Sequence, residues 1–366
     1  MSRYYFNLPP ITDLTISQQA ALNEIGPIAI NGGPGTGKSV VALWRHINNH
    51  RNSQKSLLLT YTTTLAYYLR ACGANYSPSA AENTSSALRA RHNSLIYRNF
   101  DELIIDEGQD LGADYYNDIN INTQVSYGAD DSQILYPDKC STEENLRERY
   151  PKNTGYTLDK NFRNTYYIMK FAKECFLEAI IPQKLLDDLY KRNRGEKPVF
   201  LVAGPNKYDE EARRYVSSRK QNSAIVDIIN GIRNDTSNIA ILVPFKNTVD
   251  EFKDILQNNG INDFSYYHSD GDERGYGNTG CSDLQNLHIT TFKSSKGLEF
   301  DTVIIPNFRN YINLAKRNNS NFAPAPSFNL SWKDLYVACT RAKSNLYLIS
   351  DLMMSDLSSV VDLSIL

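Results

Sequence analysis

The chain has 366 residues, enough for two domains with cores of their own rather than one. Hydrophobic residues make up 41% and charged residues 22%, which fits a folded, soluble globular protein and excludes a disordered or fibrous chain. A net charge of −2, with a pI near 6.2, excludes the basic excess that marks many dedicated nucleic-acid binders, so any such contact must come from a local groove.

In chain order, the apolar run 27–30 reads as a buried strand that enters a glycine-rich turn. A helix follows from Lys38, with Val40, Val41, Leu43, Trp44 and Ile47 directed to the core. Strands are expected at 56–60, 102–105 and 124–127, with a helix after the first of these carrying Leu65, Tyr68 and Leu69. A boundary near Asn153 then divides the chain into 1–153 and 154–366. Beyond it, a helix with Tyr167, Ile168, Phe171 and Phe176 precedes strands at 199–202, 239–243, 287–291, 303–305 and 345–349. This alternation of strand and helix is the rhythm of a parallel α/β sheet, met twice. The Gly-, Asp- and Ser-rich stretch 270–286 reads as a mobile loop, and the segment after Asp351 as a short helix or tail.

No stretch approaches the ~20 apolar residues of a membrane span, and the N-terminus lacks the pattern of a signal peptide. The five cysteines (Cys72, Cys140, Cys175, Cys281 and Cys339) are scattered and form no C-x-x-C pair. Free thiols in a reducing cytoplasm are the expectation, rather than a disulfide framework or a zinc site.

Gly32-Gly33-Pro34-Gly35-Thr36-Gly37-Lys38-Ser39 matches the phosphate-binding loop G-x-x-x-x-G-K-[ST] and sits between an expected strand and helix, where its chemistry requires it. Glycines let backbone N–H groups converge on phosphate oxygens, and the helix N-terminus adds positive potential. Lys38 is placed on the β- and γ-phosphates and Ser39 on Mg²⁺. The apolar run 103–105 ends abruptly in Asp106 and Glu107, which supply a metal-binding carboxylate and a group to polarise the attacking water. These residues alone point to hydrolysis of ATP or GTP.

The stretch Asp106-Glu107-Gly108-Gln109-Asp110 resembles the second motif of UvrD/Rep-like superfamily-one helicases, and other motifs of that family follow in order over about nine-tenths of the chain. Leu14-Thr15-Ile16-Ser17-Gln18 is similar to the motif whose glutamine reads adenine, which implies ATP and assigns Gln18. Leu59-Thr60-Tyr61-Thr62 looks like the motif that touches single-stranded nucleic acid. Asp130-Asp131-Ser132-Gln133 resembles the third motif, with Gln133 as γ-phosphate sensor. Asn161-Phe162-Arg163-Asn164 resembles the fourth, which implies that Phe162 stacks on adenine and Arg163 reaches the γ-phosphate. Thr291-Phe292-Lys293-Ser294-Ser295-Lys296-Gly297-Leu298-Glu299-Phe300-Asp301 resembles the fifth. The resemblance points to Thr291 and Lys293 for nucleic acid and to Gly297 and Glu299 for nucleotide. Leu335-Tyr336-Val337-Ala338-Cys339-Thr340-Arg341 resembles the sixth and offers Arg341 as a second arginine finger.

The fold this implies is α/β: two tandem RecA-like P-loop domains with parallel sheets and the ATP site in the cleft between them. The chain departs from the family in carrying only about forty residues between Tyr61 and the Asp106 strand, and about thirty between the 238–259 unit and Thr291. Those gaps are too short for the family's accessory domains. Asp138 stands where the family usually has a stacking aromatic residue, Lys293 where it usually has histidine, and Ala129 where it usually has glycine. The leading expectation is therefore an ATP-hydrolysing translocase or compact helicase on single-stranded nucleic acid, DNA in preference to RNA. The alternative is an ATP-driven switch that controls a protein effector such as a nuclease or toxin, for example in defence against phage. Stimulation of hydrolysis by nucleic acid separates the two.

Overall fold

The computed structural model describes residues 4, 8–205, 207–209, 214–234, 236–267, 284–318 and 330–366. Cys281 and most of the stretch 270–286 read as a loop lie outside the described residues. Contact density divides the chain into two compact units, one running to Phe162 and the other starting at Arg163, with Tyr4 belonging to the latter. The first unit thus continues past Asn153 (its last strand lies at Thr154–Thr157), and its chain reaches the start of the fourth motif before it leaves.

The first unit holds strands β1 (Ile28–Asn31), β2 (Ser56–Thr60), β3 (Thr84–Ser86), β4 (Glu102–Asp106), β5 (Gln124–Ala129) and β6 (Thr154–Thr157). They form one sheet in the order β3-β2-β4-β5-β1-β6, and every pairing is parallel. Strands β2 and β4 are buried along their whole length. Parallel strands covered on both faces need continuous apolar sequence, and Leu57-Leu58-Leu59 and Leu103-Ile104-Ile105 provide it. The helix Lys38–Arg51 packs on this sheet through Val41, Leu43, Trp44 and Ile47, whereas Val40 is only half-buried. Register brings Asn31 of β1 beside Ala129 of β5, and Thr60 of β2 beside Asp106 of β4. The carboxyl ends of these strands therefore finish side by side, which is where open α/β sheets place their ligands.

The second unit holds β7 (Val199–Val202), the two strands of a small antiparallel hairpin, β8 (Lys207–Asp209) and β9 (Arg214–Val216), and then β10 (Ile239–Val243), β11 (Ser265–Tyr267), β12 (Leu287–Thr291), β13 (Phe300–Ile305), β14 (Ala342–Ser350) and β15 (Asp362–Ile365). Seven of these form a second parallel sheet in the order β11-β12-β10-β13-β14-β7-β15. Its core is mostly aliphatic, with Ile239, Ile241, Val243, Ile289 and Ile304 fully buried around the Phe252 ring. Read from sequence as a helix or tail, the segment after Asp351 instead ends in β15, which pairs in parallel with β7 at the sheet edge. No helix among the described residues is long and apolar enough to cross a membrane.

Candidate functional site

In the first unit, the turn from β1 into the helix Lys38–Arg51 is shaped by glycines with positive φ: Gly32 at 147°, Gly35 at 70° and Gly37 at 89°. A Cβ on Gly32 would lie 2.4 Å from the Leu158 carbonyl oxygen, and one on Gly37 would lie 2.4 Å from Gln18 Nε2. Glycine is required at both places by conformation and by space. Gln18 belongs to a helix (Ile16–Asn23) that begins with a capping box on Thr15, and the Gln18 amide donates to the Thr36 carbonyl at 2.9 Å. The expected adenine-reading residue is thereby fixed against the loop.

Further bonds hold the loop from the other side. The Thr36 hydroxyl donates to the Gly33 carbonyl at 2.9 Å, Asn161 Nδ2 to the Pro34 carbonyl at 3.0 Å, and the Phe162 backbone N–H to the Gly35 carbonyl at 2.8 Å. The Phe162 side chain, next to the loop, is 48% exposed. Lys38 is buried, and its ammonium donates to the carbonyls of Gly32 at 2.6 Å and Gly33 at 3.1 Å, with Asp130 Oδ2 3.8 Å away. Ser39 follows it in the first turn of the helix and is half-buried.

Asp106 ends β4 with its carboxylate fully buried. A Cβ built on Gly128 of β5 would lie 3.6 Å from both Asp106 Oδ1 and Lys38 Cβ, so the acid and the lysine flank the same point of the sheet. A buried carboxylate is a hard-oxygen donor suited to Mg²⁺, which takes one or two protein ligands and completes its shell with phosphates and water. No cluster of three or more His, Cys, Asp or Glu able to hold a metal by itself occurs among the described residues.

Glu107 takes a left-handed backbone, φ 59°, which is uncommon for a residue with a side chain. That turn sends its carboxylate to Gln109, whose Nε2 donates to Glu107 Oε2 at 2.6 Å, while Gln109 Oε1 accepts from the Asp130 N–H at 3.2 Å. Asp130 in turn accepts from the side chain of Gln133 and from Ser132 N at 3.0 Å. Glu107, Gln109, Asp130, Gln133 and Lys38 therefore form one connected network across the ends of β1, β4 and β5. Asp130 and Gln109 were quoted above only as parts of motifs. The pair of acids closing β5 carried a signal for Asp130, whereas no spacing rule identifies the bridging amide.

Tyr61 and Thr62 follow β2. Thr62 accepts from Leu65 N at 3.1 Å and so caps the helix Thr63–Ala74. The Tyr61 ring lies 5.2 Å from that of Tyr136, and burial, then the charge of Asp110, push its hydroxyl pKa up to about 12. Asp138 is exposed on a short helical turn, Pro137–Lys139.

The second unit collects the later motifs. Arg163 Nε lies 3.2 Å from Glu299 Oε2 in an ion pair that ties the fourth motif to the fifth. Asn164 Nδ2 donates to the carbonyls of Thr340 at 3.0 Å and Ala342 at 2.6 Å, which ties the fourth to the sixth. Gly297 turns the chain with φ 82° just before β13, and the Tyr4 hydroxyl donates to the Glu299 carbonyl. Arg341 is only 1% exposed, and its guanidinium donates to the Val337 carbonyl at 3.0 Å and the Leu298 carbonyl at 3.4 Å. The expected arginine finger thus lies inside the second unit, beside the residues of the fifth motif. Thr291 closes a small turn by accepting from Ser294 N at 3.2 Å. Lys293 stands 3.9 Å from Asp334, a buried carboxylate whose pKa burial raises against the opposing pull of that ammonium. Sequence reasoning missed Asp334, since an acid at the third position of a helix reads as a cap, and it does cap Ser331 N at 2.7 Å.

A glycine-lined phosphate loop after β1, a buried acid at the end of β4, one strand further along the sheet, and two parallel α/β sheets define a P-loop nucleotide-binding fold of tandem RecA-like domains. Within that class, the model of the AAA domain family matches residues 139–353, more than half of the chain, and the chain belongs to that family. Over 66 residues it is 46% identical to the RecBCD enzyme subunit RecB of Chlamydia pneumoniae, a stretch that is 18% of this chain and 5% of that subunit. Among solved structures, the PRRSV helicase aligns with 13% identity and a TM-score of 0.43, over 92% of this chain and 54% of that one. The C-terminal domain of a possible DNA helicase from Lactobacillus plantarum aligns with 17% identity and a TM-score of 0.35, over 55% of this chain and 98% of that one. The chain therefore spans a small part of RecB and about half of the PRRSV helicase chain.

Proposed function

We propose that this chain is an Mg²⁺-dependent ATPase of the UvrD type that moves along single-stranded nucleic acid, DNA in preference to RNA. The observation that carries this reading is the network joining Lys38, Asp130, Gln133 and Glu107 beside the buried Asp106. Backbone N–H groups of the loop and Lys38 hold the phosphates; Ser39 and Asp106 would hold Mg²⁺, which would supply charge neutralisation of the phosphate oxygens. Glu107 orients and deprotonates the attacking water, and Gln133 reports the terminal phosphate to the loop that follows β5. Gln18 and Phe162 select adenine. Arg163 and Arg341 stabilise charge on the transferring phosphoryl group, and Gly297 and Glu299, the latter paired with Arg163, contact the nucleotide. Tyr61, Thr62, Thr291 and Lys293 contact the strand. The described cysteines are free thiols, in keeping with work in the cytoplasm.

Glu107→Gln tests this assignment. The variant binds ATP with near wild-type affinity and hydrolyses it at a small fraction of the rate. Wild-type turnover in that variant contradicts the assigned base. A second reading, an ATP-driven switch acting on a protein effector, is favoured by the exposed Asp138, since an acid at that position repels phosphate. Under that reading hydrolysis is indifferent to nucleic acid and responds to the partner.

A further inference from the structure

The helix Tyr166–Cys175 carries Tyr167, Ile168 and Phe171, and Phe176 caps its end. The last three are buried, whereas Tyr167 is half-buried in an aromatic cluster with ring and cation contacts among residues 166–194. The Tyr166 ring meets Tyr167 at 5.1 Å and Tyr190, from the helix Gln183–Arg192, at 5.0 Å, both edge-to-face. The Arg194 guanidinium lies 4.7 Å from the Tyr190 ring centre and 5.6 Å from that of Tyr167, and Nη2 donates to the Tyr167 hydroxyl at 3.1 Å. The Lys170 ammonium lies 5.9 Å from the Tyr166 ring.

The backbone holds this arrangement in place. The carbonyls of Asn193 and Arg194 accept from Tyr166 N at 2.8 Å and Tyr167 N at 3.3 Å, which pins the turn to the start of the first helix. Gly195 follows with φ 61°, where a Cβ would lie 2.3 Å from Thr165 Cγ2. Arg194 is exposed and Tyr190 is 48% exposed, so these two flat groups face solvent with the half-buried Tyr166 and Tyr167 held against them.

We propose that Tyr166, Tyr167, Tyr190 and Arg194, with Lys170 beside them, form a stacking platform for single-stranded nucleic acid on the second unit. The proposal rests on the translocase reading above and adds a contact that the motifs do not supply. Nucleobases stack on tyrosine rings and on guanidinium planes, and the cations meet the phosphates between them. Residues 166–197 carry seven Lys/Arg against five Asp/Glu, a local charge of +2 in a chain whose total is −2. An acidic peptide would call for charge alone, whereas three contacting tyrosines favour bases. The platform lies in a chain that has Asp138 in place of a stacking residue.

The test is fluorescence anisotropy with the full chain and a short labelled oligothymidylate. Tyr190→Ala and Arg194→Ala weaken binding roughly 5- to 100-fold, the range of one lost base stack. Tyr190→Phe binds like the wild type. Arg194→Lys loses affinity but keeps the salt dependence, because charge is retained and the plane is not. An abasic strand of the same length binds more weakly than oligothymidylate and does not distinguish Tyr190→Ala from wild type. ATP hydrolysis without nucleic acid and the melting temperature stay unchanged in the tyrosine variants. Wild-type affinity in both alanine variants overturns the platform while leaving the translocase reading in place. Failure of the wild type to bind any strand overturns both, and a preference for polyglutamate over oligothymidylate assigns the surface to an acidic protein partner instead.

Discussion

Gly37 and Gln18 together show how the loop is held ready for phosphate. A methyl group at Gly37 would meet Gln18 Nε2 and force a left-handed alanine, with strain on the order of 1–3 kcal/mol. Gly37→Ala therefore weakens binding of a fluorescent ATP analogue by roughly tenfold, as 1.4 kcal/mol corresponds to a factor of ten. Unchanged affinity would mean that the bond from Gln18 to Thr36 does not shape the loop. Two histidines make a second prediction. Burial holds His46, bonded to Ser56 and the Ala80 carbonyl, and His288, bonded to Ser265, neutral down to a pKa of about 3, against 6.5 in the unfolded chain. Below pH 6.5 the unfolded chain takes up protons that the folded one refuses. Their contribution to stability is thus complete above 6.5 and declines as pH falls toward 3, by ~2 kcal/mol per histidine at pH 5. Thermal melts at pH 7 and pH 5 should show this loss, and His46→Gln should reduce it.

The strands most legible in the sequence were those buried on both faces. Ser56–Thr60, Val199–Val202, Ile239–Val243 and Leu287–Thr291 appear where their apolar runs predict them. Strands β3, β6 and β15 were missed for a physical reason. Their sequences, Thr-Ser-Ser, Thr-Gly-Tyr-Thr and Asp-Leu-Ser-Ile, are polar or mixed, and they pair because a neighbouring strand offers an open edge, which no local pattern announces. The candidate site was legible where motif and strand end coincide, at Lys38 and Asp106. It was not legible where a side chain bridges distant segments, as Gln109 does between Glu107 and Asp130, or Asp334 beside Lys293. At this scale, Phe252→Ala removes a fully buried ring from the second core and should cost ~3–5 kcal/mol in denaturant unfolding. Thr62→Ala removes a helix cap and should cost ~1 kcal/mol.

For the whole molecule, the central claim is the proposed one, that the chain hydrolyses ATP as it moves along single-stranded nucleic acid, with Arg163 and Arg341 in the role of arginine fingers. Arg163→Ala is the cleaner probe, because its partner Glu299 is partly exposed and the loss of one ion pair is tolerated. It should lower kcat by roughly 10³–10⁵, the scale of a lost arginine finger. Arg341→Ala should do the same, but it also strips the Val337 and Leu298 carbonyls of a buried donor and should destabilise the second unit by ~2 kcal/mol or more. Melting curves separate the two effects. The most direct measurement of the central claim is steady-state ATP hydrolysis by the full chain, with and without single-stranded DNA, at low and moderate salt. The account predicts strong stimulation that weakens as salt rises, since phosphate contacts release counterions. Hydrolysis that is the same with and without DNA at both salts would contradict a translocase and leave the nucleotide site to an effector-controlling switch.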